Sequence, residues 1–219
     1  MKSVKMIFAL GQRGLFALAG NKLPFNSKAD MQHFRSYTKG SIVLMGAKTF
    51  QSLPNRLAGR LNVVYASGSR GMDIRAQNGA TFDVFIDSDR VTLEHAINLL
   101  QKRYSVESVL RNEVHPSVRP FCNDDASIIV IGGLAILQQA APLADEISIS
   151  TFSDVWGDPD KDVFAEEWAW SLLETCICPF SDANIGQSHA EGLMIGTFTT
   201  FKGEATKRGF KPKLLTFKG

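Results

Sequence analysis

Residues 21–34 read NKLPFNSKADMQHF and hold one acid, Asp30, among Leu23, Pro24, Phe25, Met31 and Phe34. An ionised carboxylate is costly to bury without a partner. Either Asp30 sits at the positive end of a helix running through Met31 and Phe34, or a ligand meets it on an apolar surface. Two glycine corners suggest a phosphate-bearing ligand. In IGGLAIL (131–137) a strand gives way to Gly132-Gly133 and then a helix. Glycines let phosphates approach the backbone, and a helix start offers N–H groups. In MGAKTF (45–50) a strand again meets a glycine, Gly46, and Lys48 and Thr49 follow at a helix start. Such corners on neighbouring strands could hold the two ends of one dinucleotide, since ligands of open α/β sheets bind at the carboxyl ends of strands. Each corner is equally readable as a tight turn. Arg60, in SLPNRLAGRLNVV (52–64), follows a glycine and precedes a strand. Its fork matches a carboxylate, and its plainer reading is a surface arginine.

Other chemistries are excluded by spacing. The alternate acids of DPDKDVF (158–164) hint at a calcium loop, but Val163 and Ala169 stand where an EF-hand needs Gly and Glu. Cys176 and Cys178 have no second cysteine pair or nearby histidine to complete a zinc set, so no metal site is expected. His33, His95, His115 and His189 are scattered, with no hydrolase order or H-E-x-x-H spacing.

The elements that must position these residues are legible. MIFAL (6–10), IVLM (42–45), NVVYA (62–66), DVFI (83–86) and SIIVIG (127–132) are short apolar runs. They read as strands covered on both faces. ADMQHFRSYT (29–38) has helical spacing. TLEHAINLLQKRY (92–104) opens on a Thr N-cap and carries a Leu93, Ala96, Ile97, Leu100 stripe. LAILQQAAPLA (134–144) should stop at Pro142. Alternating strands and helices predict an α/β fold with helices on both faces of a mainly parallel sheet. EISIST (146–151), SLLETCIC (171–178) and LMIGTFTTF (193–201) predict an antiparallel C-terminal edge. Residues 105–126, with two prolines and no clear period, read as a surface insertion. Residues 202–219 carry six basic residues against Glu204 and read as a basic tail.

The 219 residues suit one domain, taken as 1–201 plus the tail. A net charge of +2 gives no global nucleic-acid or membrane signature, although a basic tail is a weak footprint for anionic partners. No transmembrane run is present, and Met6–Leu10 is too short for a signal-peptide core. Three cysteines fit free thiols in a reducing compartment, so a cytoplasmic chain is expected.

These segments, in this order, resemble the dihydrofolate reductase family. The shared motifs are L-P-F-x-x-x-x-D ending at Asp30, M-G-x-x-T-F at 45–50 and I-G-G at 131–133. RLAGRLNVVYAS, DEISIST, DKDVF and, more weakly, QSHAEGLMIGTF extend the likeness over about residues 4–67 and 127–201. The resemblance implies hydride transfer from NADPH to dihydrofolate in a monomer supporting one-carbon and thymidylate metabolism. It implies that Asp30 binds the 2-amino group and N3 of the pterin, with a pKa raised by apolar neighbours. Ser150 would stand behind it, where the family usually has Thr. Phe8, Ala9, Leu23, Phe25, Phe34 and Leu53 would line the pocket, and Arg60 would clamp the glutamate tail. Ala9, Gly46, Lys48, Thr49, Ser52, Ser67, Arg70, Ile131, Gly132, Gly133, Leu134 and Leu137 would contact the cofactor, and a cis peptide between Gly132 and Gly133 is common in the family.

Three departures stand out. Ala47 replaces an arginine that grips cofactor phosphate, and Leu137 replaces an aromatic residue. Phe16-Ala17 replaces Ile-Gly in a loop that is one residue longer than in common bacterial forms. Two alternatives remain. One is a same-fold reductase acting on a ribosylamino-pyrimidine in flavin synthesis, a family that lacks the folate-pocket acid. The other is a catalytically weak or inactive pterin- or nucleotide-binding protein with a structural role.

Overall fold

A computed structural model describes residues 1–11, 14–20, 22–24, 26–68, 73–152, 157–165, 195–200 and 216–217. Phe25, Arg70, Cys176, Cys178, His189, the 171–178 run and nearly all of the basic tail therefore lie outside the described residues. The chain divides into two compact units, Met1–Met6 with Tyr37–Ala144 and Ile7–Ser36 with Asp145–Gly219.

The first unit holds the beginning of β1 (Val4–Leu10), then β3 (Ile42–Met45), α2 (Ala47–Ser52), β4 (Leu61–Ala66), β5 (Val84–Asp87), α3 (Leu93–Arg103), α4 (Val106–Leu110), β6 (Ile128–Gly132) and α5 (Leu134–Ala140). Its strands are ordered β1-β6-β3-β4-β5 and every neighbouring pair is parallel. All four residues of β3 are buried, which is why this strand reads as a continuous apolar run with no alternation. Val43, Met45, Phe50, Val64, Ile74 and Ala76 form a core cluster. Phe50 is fully buried and meets Phe82 edge-on at 6.0 Å. Burial of that ring contributes about 2–3 kcal/mol.

The expected helix signals act as read. Thr92 caps α3 by accepting from the His95 N–H, and Leu93, Ala96, Ile97 and Leu100 are its buried stripe. α5 passes into a 3-10 turn, Ala141–Leu143, at Pro142. The 105–126 segment is more regular than its sequence suggests. Ser105 caps the five-residue α4, and His115 caps a 3-10 turn at Pro116–Phe121. Side-chain caps thus hold short turns that no apolar period announces.

The second unit holds the end of β1, β2 (Leu15–Ala17), nearly all of α1 (Lys28–Thr38), β7 (Glu146–Thr151), β8 (Val163–Phe164), β9 (Ile195–Thr200) and β10 (Thr216–Phe217). Its strand order is β1-β7-β9-β10. The antiparallel edge is the β9–β10 pair, whereas β9 runs parallel to β7. In that edge Thr216 pairs with Thr199 and Phe217 with Phe198. β2 and β8 form a separate antiparallel pair, Leu15 opposite Phe164. Leu15 and Phe152 are buried together, with Ala9 and Phe164 packed against them.

Candidate functional site

Asp30 lies at the third position of α1. Ser27 starts the helix, its Oγ accepting from the Asp30 N–H at 3.2 Å. The carboxylate therefore enjoys the helix N-terminus, as the plainer sequence reading held, and it is also half-buried. Burial raises its pKa, while the Ser150 hydroxyl and then His33 pull it back. Ser150 is 1% exposed on β7. Its Oγ is the one buried side-chain polar atom among the described residues with no hydrogen bond of regular geometry. It thus sits close enough to influence Asp30 while keeping bonding capacity of its own. One turn along α1, His33 Nε2 is hydrogen-bonded to Ser148 Oγ at 2.8 Å, and burial lowers the His33 pKa. Ser148 is fully buried. Of the apolar residues assigned to this region, Phe8 is buried, Ala9 and Phe34 are half-buried, and Leu23 is 61% exposed.

The 14–22 segment is held along its length. Gly11 N–H donates to Leu15 O, Ala165 N–H to Gly14 O, and Ala19 N–H to Asp162 Oδ1. Gly157 is required there, because a Cβ would meet Leu15 Cδ1 at 2.5 Å and both Asp162 and Phe164 at 3.0 Å. The DPDKDVF loop owes its shape to its own acids. Asp158 N–H donates to Asp162 Oδ2, and Lys161 Nζ binds Asp158, lowering the Asp158 pKa.

In the first unit the two glycine corners lie side by side. Gly46 N–H donates to Gly132 O at 2.8 Å, and the Gly132–Gly133 peptide is cis. A Cβ on Gly46 would meet Ile136 Cδ1 at 2.9 Å and Gly133 N at 3.5 Å, and one on Gly133 would meet Thr49 Oγ1 at 3.5 Å. Neither Gly46 nor Gly133, the N-caps of α2 and α5, gives its helix a side-chain cap. Lys48 is exposed, Thr49 and Leu134 are half-buried, and Ser52 Oγ donates to Thr49 O. Ile131, Leu53 and Ala47 pack on the Val43–Phe50 core cluster. Ala47 thus packs on the core at the start of α2. Leu137 is fully buried.

At the end of β4 the setting of Ser67 is anionic. Ser67 Oγ donates to Asp89 Oδ2 at 2.5 Å, as does the Gly68 N–H at 3.1 Å. A Cβ on Gly68 would lie 2.5 Å from the Asp87 carboxylate, which pairs with Arg90. Asp87 ends β5 and Asp89 follows it; neither is marked by the sequence, because parallel pairing of β4 and β5 brings them beside Ser67.

Arg60 precedes β4. Its Nε donates to Thr38 Oγ1 at 3.1 Å and its Nη1 to Ala58 O at 2.6 Å. The segment carrying it is anchored by Asn62, a fully buried polar residue the sequence reading passed over. Asn62 Oδ1 accepts from Leu57 N–H, and Nδ2 donates to Leu57 O, Arg60 O and Asp83 Oδ2 at 3.0–3.1 Å. An amide in the apolar LNVVYA run was the available signal. Among the described residues no cluster of metal-ligating side chains occurs, and no helix is long and apolar enough to cross a membrane.

The parallel sheet with helices following its strands makes the first unit an open α/β structure, with the paired glycine corners at the carboxyl ends of β3 and β6. The sequence profile described as Dihydrofolate reductase matches residues 3–93. "Dihydrofolate reductase type 9" of Escherichia coli is 42% identical over 64 residues, 29% of this chain and 36% of that protein. "Dihydrofolate reductase" of Mycoplasma pneumoniae is 27% identical over 71% of this chain and 80% of its own. That of Neisseria meningitidis serogroup A is 31% identical over 60% and 62%. The chain thus spans from about a third to four-fifths of the length of these relatives. A solved structure, "Dihydrofolate reductase from Enterococcus faecalis complexed with NADP(H)and RAB-propyl", aligns over 77% of this chain and 80% of its own at TM-score 0.46 and 19% identity, too loose a likeness to carry weight. On these sequence matches, the chain is similar to dihydrofolate reductases, most clearly over residues 3–93.

Proposed function

We propose that the chain reduces 7,8-dihydrofolate to 5,6,7,8-tetrahydrofolate, with NADPH as hydride donor. The observation that carries the reading is Asp30, a carboxyl whose pKa is raised by burial beside a serine hydroxyl with no regular partner. Ionised, it accepts from the 2-amino group and N3 of a pterin, a paired contact that offsets its desolvation. With its raised pKa it also holds a proton closer to neutrality than an ordinary aspartate, which eases protonation at N5 through water. Phe8, Ala9 and Phe34 would provide apolar contact, with Leu23, Phe25 and Leu53 assigned to the same task. Arg60 would receive the glutamate tail.

The residues of the two corners fit a dinucleotide. Gly46 and Gly133 leave room that side chains would fill, and the first turns of α2 and α5 lack side-chain caps. When bound, NADPH supplies the hydride for C6 of the pterin. Gly46, Thr49, Gly132, Gly133 and Leu134 would hold its phosphates and nicotinamide end, and Lys48 adds charge. Ser67 fits a cofactor phosphate poorly, because its hydroxyl already serves a carboxylate. One-carbon metabolism, a cytoplasmic location and a monomeric state belong to the same reading.

The test is NADPH oxidation with dihydrofolate by the purified chain and by Asp30→Asn. Turnover by the first, with a fall of about a hundredfold or more in the second, is the expected result. No turnover from a folded chain overturns the reading and favours a binding role.

A further inference from the structure

α1 and β7 present two matched pairs of polar side chains. On the helix, Asp30 and His33 are three residues apart and share a face. On the strand, Ser148 and Ser150 are two apart and also share a face. Ser148 meets His33 at 2.8 Å and Ser150 lies beside Asp30. Both serines are essentially without exposure, and Ser150 Oγ lacks a regular partner. The reaction as derived uses Asp30 and Ser150, leaving a half-buried imidazole unexplained one helical turn away.

We propose that His33 is a positioning residue for Asp30: held by Ser148, it keeps a protonatable ring beside the carboxyl, so that the two groups titrate as a coupled pair and His33 sets the pH at which Asp30 ionises. The functional meaning rests on the reductase reading, whereas the coupling itself does not. Two neutral groups, Asp30-COOH with imidazole, and the ion pair of carboxylate with imidazolium carry the same number of protons. A proton moved within the pair leaves its net charge unchanged, and only the second form accepts from a pterin through both oxygens. Burial pushes the two pKa values toward each other, Asp30 up and His33 down, which brings those forms closer in energy. Among the described residues, Lys5 Nζ lies 5.7 Å from the ring of Tyr37, towards the far end of α1. Lys28 and Arg35 are exposed residues of α1, and Glu146 lies on the Ser148 face of β7 by strand alternation.

The experiment has two arms. In the free chain, ring resonances of labelled histidine are titrated in the wild type and in Asp30→Asn, with the His33 signal assigned by its loss in His33→Gln. The His33 midpoint is expected to fall by about half a unit or more in Asp30→Asn, since the carboxylate supports the imidazolium. An unchanged midpoint overturns the proposal whether or not the chain turns over dihydrofolate. In the second arm, kcat/KM is followed against pH for His33→Gln and His33→Leu. Glutamine can keep the bond to Ser148 but carries no proton charge. The acid limb is expected to move to higher pH in both variants. Full rescue of the limb by glutamine shows a merely structural role and overturns the proposal. A chain with no turnover but a coupled titration sinks the reductase reading alone.

Discussion

Replacing Asn62 by alanine tests how the Arg60 segment is held. The side chain makes four hydrogen bonds from a fully buried position, to Leu57 N–H, Leu57 O, Arg60 O and Asp83. Each neutral bond contributes about 1 kcal/mol net, and the one to a carboxylate roughly twice that. Residues 54–56 and 58–59 are exposed, so water regains some of the freed groups. A loss of about 3 kcal/mol remains, which for a chain of this length is a fall in Tm of about 6–12 °C. Thermal and urea melts of wild type and Asn62→Ala measure it, together with KM for dihydrofolate, expected to rise more than kcat falls. Asn62→Asp is the sharper control. It keeps the acceptor for Leu57 N–H but turns a carboxylate toward two carbonyls and Asp83, so it should be worse than alanine. An alanine variant that loses under about 1 kcal/mol, or an aspartate milder than alanine, refutes the reasoning.

Two further outcomes follow from the site. Because burial raises the Asp30 pKa above the ordinary value of 3.8, folding is penalised once pH exceeds that of the unfolded group and grows more so up to the folded pKa. Asp30→Asn should therefore melt higher than wild type at pH 7–8, with the gain vanishing toward pH 3.8 and below; an Asn variant less stable at neutral pH contradicts the burial argument. At the end of β4, the Asp89 carboxylate on Ser67 opposes a cofactor phosphate by on the order of 1 kcal/mol after screening. Asp89→Ser should lower KM for NADPH about fivefold with kcat unchanged; an unmoved KM removes Ser67 from the phosphate contacts.

Much of the fold was readable because local signals agreed. β3 occupies the predicted IVLM, α3 begins after its predicted cap, and Pro142 ends α5 as a ring without an N–H must. The L-P-F-x-x-x-x-D, M-G-x-x-T-F and I-G-G segments carried the resemblance to dihydrofolate reductases before any coordinate. Periodicity failed at 105–126, where side-chain caps rather than an apolar stripe make the turns. It was also silent on the loop with Phe16 and Ala17, whose β2 pairs with a segment nearly 150 residues away. Strand pairing across that distance depends on closure of the whole chain, which no local window contains.

The sequence by itself determined the residue types: one acid in an apolar stretch, two glycine corners, an arginine before a strand. Tertiary structure alone decided what each faces. Asp30 could have remained a solvated helix charge, and the fold instead put Ser150 beside it and His33 against Ser148. Ser67 reads as a phosphate ligand until β5 carries Asp87 and Asp89 to it. Burial and charge neighbours set pKa and ligand preference, and both come from elements far apart in the chain.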